Sequence, residues 1–217
     1  MSALHPPQLL PALVAASVLA ACSSHSAART SPEPAGSGPR ESSTVAQVRA
    51  DSIRHPYTKA DVDFMSHMIA HHAQALEMAG WAPSHGANRA VQVLAERIIN
   101  GQQDEINSMQ RWLRDRGKPV PEPGSMAMMH HGMMMPGMLT PEQMRELDQA
   151  RGAEFDRLFL TYMIQHHRGA VTMVSQLFDT YGAARDEAVF KFANDVNVDQ
   201  STEIARMERM LAALPPA

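Results

Sequence analysis

The 217-residue chain contains a single cysteine, Cys22, which excludes an internal disulfide framework and a zinc site built from thiolates. Aromatic residues make up only 5% of the chain, too few for the base-stacking surfaces of single-stranded nucleic-acid binders. The formal net charge of −4 gives no basic field that would attract a polyanion. We therefore expect no nucleic-acid partner.

The chain also lacks the motifs of common enzyme chemistry. It has no glycine-rich phosphate loop, no serine nucleophile elbow and no His-Glu-x-x-His zinc hydrolase motif. Di-iron bundles need a Glu three residues before a histidine, and no Glu precedes His71, His72, His166 or His167 at that spacing. We predict that the protein is not an enzyme.

Methionine and histidine are abundant instead, with 17 Met and 11 His. They are densest in residues 126–138, inside a connecting loop at about 118–139 that is too long to be a simple link. Thioethers and imidazoles suit soft ions, above all Cu(I), and disfavour Ca²⁺ and Mg²⁺. The loop is therefore a candidate copper site; the alternatives are a low-complexity insert or a patch that covers a partner. Its candidate ligands are Met126, Met128, Met129, His130, His131, Met133, Met134, Met135 and Met138.

The first residues predict export. Residues 9–21 form an apolar run too short to span a bilayer, and the following Leu19-Ala20-Ala21-Cys22 resembles a bacterial lipobox. We predict a signal peptide at 1–22, lipidation of Cys22 and a Ser/Pro/Gly-rich tether at 23–54. An ordinary secretory signal is the alternative. In both cases the mature protein lies outside the cytoplasm; a lipid anchor favours the periplasmic side of the outer membrane.

The chain contains an internal duplication, and each copy centres on Met-Ile-x-His-His. At one constant offset Asp61, Phe64, Met68, Ile69, His71, His72, Ala75 and Met78 match Asp156, Phe159, Met163, Ile164, His166, His167, Ala170 and Met173. At a second offset Ala95, Gln102, Glu105, Ile106, Met109 and Leu113 match Ala193, Gln200, Glu203, Ile204, Met207 and Leu211. The duplicated unit is therefore a helical hairpin.

Two such hairpins predict an all-α bundle over 55–214. Thr58 and Thr140 are predicted helix caps, and the helix that begins at Thr140 is expected to run unbroken to about Tyr181. No segment alternates with period two, so no strands are expected.

The helical histidines form a second set of candidate ligands. Adjacent residues on a helix diverge by about 100°, so the two histidines of a pair cannot face one centre. We expect Met68, His71 and Met78 to converge, with His72 facing another direction, and Met163, His166, Met173 and His167 to repeat this arrangement. Gln102 and Gln200 are expected to hydrogen-bond these imidazoles, with Glu105 and Glu203 in the same supporting role and Met109 and Met207 as further thioethers. The alternative is a structural core in which the histidines are simply satisfied.

Four segments, 63–78, 102–113, 159–173 and 200–207, resemble the bacterial family catalogued as domain of unknown function 305. The resemblance covers about 55–213 and implies a ferritin-like four-helix bundle, usually exported. It implies similarity to periplasmic copper-binding and copper-tolerance proteins of the CopM type. The family's Met and His positions fall on Met68, His71, His72, Met78, Met109, Met163, His166, His167, Met173 and Met207. The second copy departs at Tyr162, Gly169 and Thr172, which replace His67, Gln74 and Glu77, so His67 has no counterpart.

The sequence thus predicts an exported, lipid-anchored four-helix bundle that binds copper as Cu(I), with Cu(II) or Ag(I) as further ions. Its role would be sequestration, buffering or tolerance. The alternative is a metal-free structural or partner-binding module. A homo-oligomer or a copper-handling protein partner is left open.

Overall fold

In the computed structural model the described residues are 56–121 and 135–215, and within these ranges the chain forms five α-helices and no strand. The helices are α1 (Lys59–Gly80), α2 (Arg89–Asp115), α3 (Pro141–Gln149), α4 (Ala153–Asp179) and α5 (Glu187–Ala213). Helix α1 packs on α2 and α4 packs on α5, while contacts between α1 and α4 join the two hairpins. The predicted all-α bundle of two hairpins is confirmed. The predicted signal peptide, tether and most of the Met/His-rich loop lie outside the described residues.

The predicted helix caps are present. Thr58 accepts from the Asp61 N–H, while the Asp61 carboxylate accepts from the Thr58 N–H, which forms a capping box at the start of α1. Thr140 and Gln143 form the same box at the start of α3, with Pro141 in its first turn. These side chains satisfy N–H groups that have no partner inside the helix.

The prediction of one unbroken helix from Thr140 to Tyr181 is wrong. The chain leaves the helix at Ala150, which is extended, and Gly152 has a φ of +57°, a conformation that only glycine adopts readily. The Gly152 N–H donates to the His85 carbonyl at 2.8 Å, and the His85 ring contacts the carbonyl of Asp148 at 2.9 Å. Hydrogen bonds from the chain between α3 and α4 to the turn between α1 and α2 thus stabilise the break between these two helices.

A buried aspartate in each copy binds the other hairpin. The Asp61 carboxylate accepts from the Ala184 N–H, in the turn between α4 and α5, at 2.7 Å. Its counterpart Asp156 accepts from the backbone N–H of Asn88 at 3.0 Å and from its side-chain amide at 2.7 Å, at the start of α2. An aspartate at this position of both copies therefore has a structural reason, because each carboxylate holds the turn of the opposite hairpin.

The core consists of two apolar clusters with a polar layer between them. The Met78 cluster includes Met78, Leu94, Ile98, Phe155, Phe159, Met163 and Met207. The Met68 cluster includes Met65, Met68, Ile106, Met109, Met173, Val174 and Val196. On each long helix the residues between the clusters are polar and buried, and they form what we term the polar layer: His71, His72, Gln102, His166, His167 and Gln200. This layer lies at mid-height of the bundle.

None of the helices in the described ranges is long and apolar enough to cross a membrane.

Candidate metal centre

The four histidines of the polar layer are fully buried and face two directions. The rings of His71 and His166, from α1 and α4, lie 3.9 Å apart between centroids at an interplanar angle of 38°. Within each pair the rings are far more separated, 6.4 Å for His71 and His72 and 6.2 Å for His166 and His167. The expectation that His72 and His167 face another direction is confirmed.

The outer histidines contact glutamates of the partner helix. His72 Nε2 lies 2.7 Å from Glu105 Oε2, and His167 Nε2 lies 2.8 Å from Glu203 Oε2. Each hairpin therefore contains a carboxylate–imidazole pair of the type that orients metal-binding histidines.

The predicted bond between glutamine and imidazole is wrong. Both side-chain amide atoms of Gln102, and Oε1 of Gln200, are buried without a hydrogen-bond partner among the described residues. Glutamate occupies the position next to the ring, because a carboxylate is the stronger acceptor for an imidazole N–H.

The inner histidines donate to backbone carbonyls. His71 Nε2 lies 3.0 Å from the Pro136 oxygen, and His166 Nε2 lies 3.0 Å from the oxygen of His71. A carbonyl only accepts, so Nε2 carries the proton in both rings, and a neutral ring then keeps a lone pair on Nδ1. Within the described ranges, Nδ1 of all four histidines is buried without a hydrogen-bond partner.

Burial keeps the inner rings neutral. Desolvation, assisted by the neighbouring His72, lowers the pKa of His71 to about 3. Burial and the facing His71 hold the pKa of His166 well below its usual value. Burial also lowers the pKa of His167, although the Glu203 carboxylate opposes this effect. The neutral imidazole is the form that binds metals, so these rings need not lose a proton first.

The expected convergence of Met68, His71 and Met78 is wrong. Met68 and Met78 belong to opposite clusters, and ten residues of helix separate them by about 15 Å along the axis. The same holds for Met163 and Met173. The structure instead places three buried methionines from the duplicated positions on each side of the polar layer. Met78, Met163 and Met207 lie on one side, and Met68, Met109 and Met173 lie on the other.

The end of the Met/His-rich loop is attached to α1 and α4, next to the polar layer. Gln74 pairs with both backbone groups of Leu139, accepting from its N–H at 2.8 Å and donating to its oxygen at 3.1 Å. Gly169, at the matching position of the second copy, lies against the backbone of Pro136 and Gly137; a Cβ there would be 2.0 Å from the Pro136 oxygen. Gln74 therefore binds this segment through hydrogen bonds, while Gly169, which has no side chain, leaves room for its backbone. The replacement of Gln74 by Gly169 is visible in the sequence, but the spacing of the repeats does not indicate this role.

Two of the predicted loop ligands fall in the described ranges. Met135 and Met138 are half-buried, and Met135 packs against the Met68 cluster. Met126, Met128, Met129, His130, His131, Met133, Met134 and the predicted lipidation site Cys22 lie outside the described residues.

No three His, Cys, Asp or Glu side chains in the described ranges are gathered into a ready-made metal site. The donor set of the polar layer is consistent with a soft ion nonetheless. Cu(I) accepts low coordination by imidazole and thioether, and both kinds of donor occur here, as buried Nδ1 lone pairs and as methionines on either side.

Comparison with known proteins identifies the family. The family model described as "Domain of unknown function (DUF305)" matches residues 61–211. A DUF305 fragment from Deinococcus radiodurans is 33% identical with a TM-score of 0.62, covering 73% of this chain and 99% of that one. A DUF305 protein from Streptomyces coelicolor, named as a predicted secreted protein, is 30% identical with a TM-score of 0.61, covering 70% and 92%.

The third similar structure is CopM in a Cu(II)-bound form, which is 32% identical with a TM-score of 0.56, covering 70% of this chain and 95% of CopM. CopM has also been solved in Cu(I)-bound and silver-bound forms. Among curated protein sequences no match is found. The match over most of the chain, the shared fold and the shared identity establish that this protein belongs to the DUF305 family.

Proposed function

We propose that the protein binds Cu(I), and Ag(I) as its chemical analogue, outside the cytoplasm, and thereby sequesters or buffers the metal. The observation that carries the proposal is the polar layer, in which four buried imidazoles each keep an Nδ1 without a partner among the described residues. An unpaired buried polar atom costs about 1–3 kcal/mol, and a metal ion would relieve that cost. The likeness to CopM supports the same metals here.

Methionines support the choice of a monovalent ion. Six buried thioethers from the duplicated positions lie on the two sides of the layer, and thioethers select Cu(I) over hard divalent ions. Unlike thiolates, they are not consumed by disulfide formation in an oxidising compartment. We further propose that the Met/His-rich loop is an accessory acceptor, that Cys22 is lipidated and that the protein performs no catalysis.

Nitrogen-15 NMR of the histidines, during anaerobic titration with Ag(I) and then Cu(I), tests the helical site. Both ions are diamagnetic, so the Nδ1 resonances of His71, His72, His166 and His167 can be followed directly. Binding at the layer is expected to shift Nδ1 while Nε2 keeps its hydrogen-bonded signature. Shifts confined to other histidines would remove the polar layer from the proposal.

A competition titration against a Cu(I) chelator separates the loop from the layer. One variant replaces the five methionines of 126–134 with leucine and His130 and His131 with asparagine, which leaves the anchored residues 135–139 intact. It is expected to bind fewer Cu(I) per chain while keeping the high-affinity layer site. The exposed His67 provides the control, because His67→Asn is expected to change neither number nor affinity.

The second candidate is a structural or partner-binding module without metal. It is favoured by the Nε2 atoms, since all four are already hydrogen-bonded. A ligand selective for the native state at 100 times its Kd adds about 2.7 kcal/mol of stability. Thermal melting that stays unchanged with excess Cu(I) and Ag(I) would favour the module over the metal site.

Mass spectrometry tests the anchor. The mature chain is expected to begin at Cys22 with attached acyl chains, whereas Cys22→Ser should give an unlipidated protein that is released from membranes. An unmodified wild-type chain that begins elsewhere would leave an ordinary secretory signal as the explanation.

A further inference from the structure

Beside the polar layer, a cleft between α2 and α5 is lined with oxygen-bearing side chains. Its volume is about 140 Å³, and the residues that matter are Gln102 and Glu105 from α2 and Asp199, Gln200 and Glu203 from α5. Gln102 and Gln200 are counterparts in the two copies, as are Glu105 and Glu203, so the cleft joins the same pair of residues from both hairpins. We term it the oxygen-lined cleft.

The two glutamines are the unexplained feature of this cleft. Gln102 is 3% exposed and Gln200 is 2% exposed, and they line the cleft from opposite helices. Among the described residues, neither amide atom of Gln102 has a hydrogen-bond partner, and Oε1 of Gln200 has none either. A leucine would fill such positions at lower cost, because it leaves no buried polar atom unpaired.

The carboxylates of the cleft each keep an oxygen for another partner. Glu105 and Glu203 use Oε2 to accept from His72 and His167. Glu203 Oε1 lies 3.7 Å from Arg97 Nε, but the arginine side chain is 65% exposed, so solvent screens this contact strongly.

The lining of the cleft has an excess of negative charge, since it includes three carboxylates, Glu105, Asp199 and Glu203, and one basic residue, Arg97. Carboxylates brought close together repel one another, and a cation placed among them would be stabilising.

We propose that the oxygen-lined cleft binds a hydrated divalent cation of the oxygen-preferring class, that is Mg²⁺, Mn²⁺ or Ca²⁺. The protein ligands are a carboxylate oxygen of Glu105 or Glu203 and the amide oxygens of Gln102 and Gln200, with Asp199 at the opening. The three carboxylates are not gathered around one point, which suits an ion that keeps several waters and needs only one or two carboxylates. The cleft has room for such waters, since each occupies about 30 Å³ in the liquid.

This site differs in chemistry from the proposed copper site and does not rest on copper binding. Its donors are all oxygen, whereas the histidines of the polar layer offer imidazole nitrogen and the methionines on either side offer thioether sulfur. The two sites are adjacent through the glutamates, since Glu105 and Glu203 each accept from a histidine through Oε2 and also line the cleft.

Electron paramagnetic resonance with Mn²⁺ tests the proposal on the purified metal-free protein. One Mn²⁺ per chain is expected to bind saturably and to be displaced by Mg²⁺ or Ca²⁺. The double variant Gln102→Leu/Gln200→Leu removes both amide oxygens with side chains of similar size, and Asp199→Asn removes the exposed carboxylate. Each is expected to weaken Mn²⁺ binding at least tenfold.

Asp104→Asn is the matched control, because it removes one exposed charge from α2 without lining the cleft. It is expected to change the affinity less than twofold. The absence of saturable Mn²⁺ binding would overturn the proposal. If Asp104→Asn and Asp199→Asn weakened Mn²⁺ affinity equally, the proposal would also be overturned. Such a result would indicate a diffuse attraction of counterions and no specific site. Unchanged binding in the double glutamine variant would exclude the amide oxygens and with them the site.

Discussion

The imidazole rings of His71 and His166 lie next to each other, tilted by 38° with 3.9 Å between their centroids, at the point where the two halves of the duplicated bundle meet. Each ring comes from the same position of its repeat, and each donates its Nε2 proton to a backbone carbonyl. Two such rings cannot both carry charge at this distance in a buried setting without a large penalty. The stability of the bundle is thereby coupled to pH.

Acid is expected to destabilise the fold at pH values where most proteins remain stable. The pKa of His71 is lowered to about 3, and those of His166 and His167 are lowered too, against 6.5 in the unfolded chain. Below pH 6.5 the unfolded state therefore binds more protons than the native state, so stability is complete above that pH and decreases as pH falls. The slope approaches about 1.4 kcal/mol per pH unit for each such histidine.

Urea unfolding measured from pH 5 to pH 8 checks this expectation. His166→Leu removes one titrating ring. Between pH 5 and 6 it is expected to reduce the slope of the unfolding free energy against pH by about 1.4 kcal/mol per pH unit, which corresponds to one proton. A free energy of unfolding that is flat across the same range would contradict the buried neutral rings.

The sequence predicted the duplicated helices and the directions of their histidines better than the contacts of these side chains. The duplication, the cap at Thr58 and the divergence of adjacent histidines follow from local spacing, so they could be read from the chain alone. His72 contacts Glu105 and not Gln102. Which of the two residues becomes its partner depends on how the packed helices are rotated, and residue spacing along one helix does not determine that rotation. The break at Gly152 depends on His85, a residue 67 positions earlier, and so on tertiary contact.

The end of the Met/His-rich loop packs so closely against Gly169 that no side chain fits at this position. A Cβ at this position would lie 2.0 Å from the Pro136 oxygen, and backbone cannot move aside as a side-chain tip can. We expect Gly169→Ala to destabilise the protein by about 1–3 kcal/mol, although alanine is the better helix former. Urea unfolding at pH 7.5 measures the effect.

Gly101→Ala supplies the matched control, since it lies within α2 and a Cβ there would meet nothing within 4 Å. This variant is expected to stabilise the protein by about 0.5–1 kcal/mol through helix propensity alone. If both glycine variants were stabilising, the loop end would not be seated on α4 as described.

The two buried aspartates that hold the opposite turns are expected to behave alike. Asp61→Ala and Asp156→Ala each leave backbone N–H groups of the other hairpin without their charged acceptor, at Ala184 and at Asn88. Hydrogen bonds to charged groups contribute about 1.5–3 kcal/mol, so each variant should lose about 2–3 kcal/mol. Asp63→Ala, which removes only an exposed pair with Lys59, is expected to stay within about 0.5 kcal/mol of wild type. A loss limited to one of the two buried sites would show that the hairpins are not held reciprocally.

Thioether participation can be separated from packing because leucine matches methionine in volume. Replacing Met68, Met109 and Met173 together with leucine keeps the apolar cluster on one side of the polar layer, at a cost of less than about 1.5 kcal/mol per site. If sulfur contributes to the proposed Cu(I) site, chelator competition should show affinity weakened by about tenfold while the melting profile stays cooperative. Met144→Leu/Met210→Leu, at half-buried positions on the periphery of the other cluster, is expected to leave the affinity unchanged. Equal affinity in the triple variant and the wild type would exclude Met68, Met109 and Met173 as ligands, because the triple substitution removes every methionine of the Met68 cluster that comes from the duplicated positions.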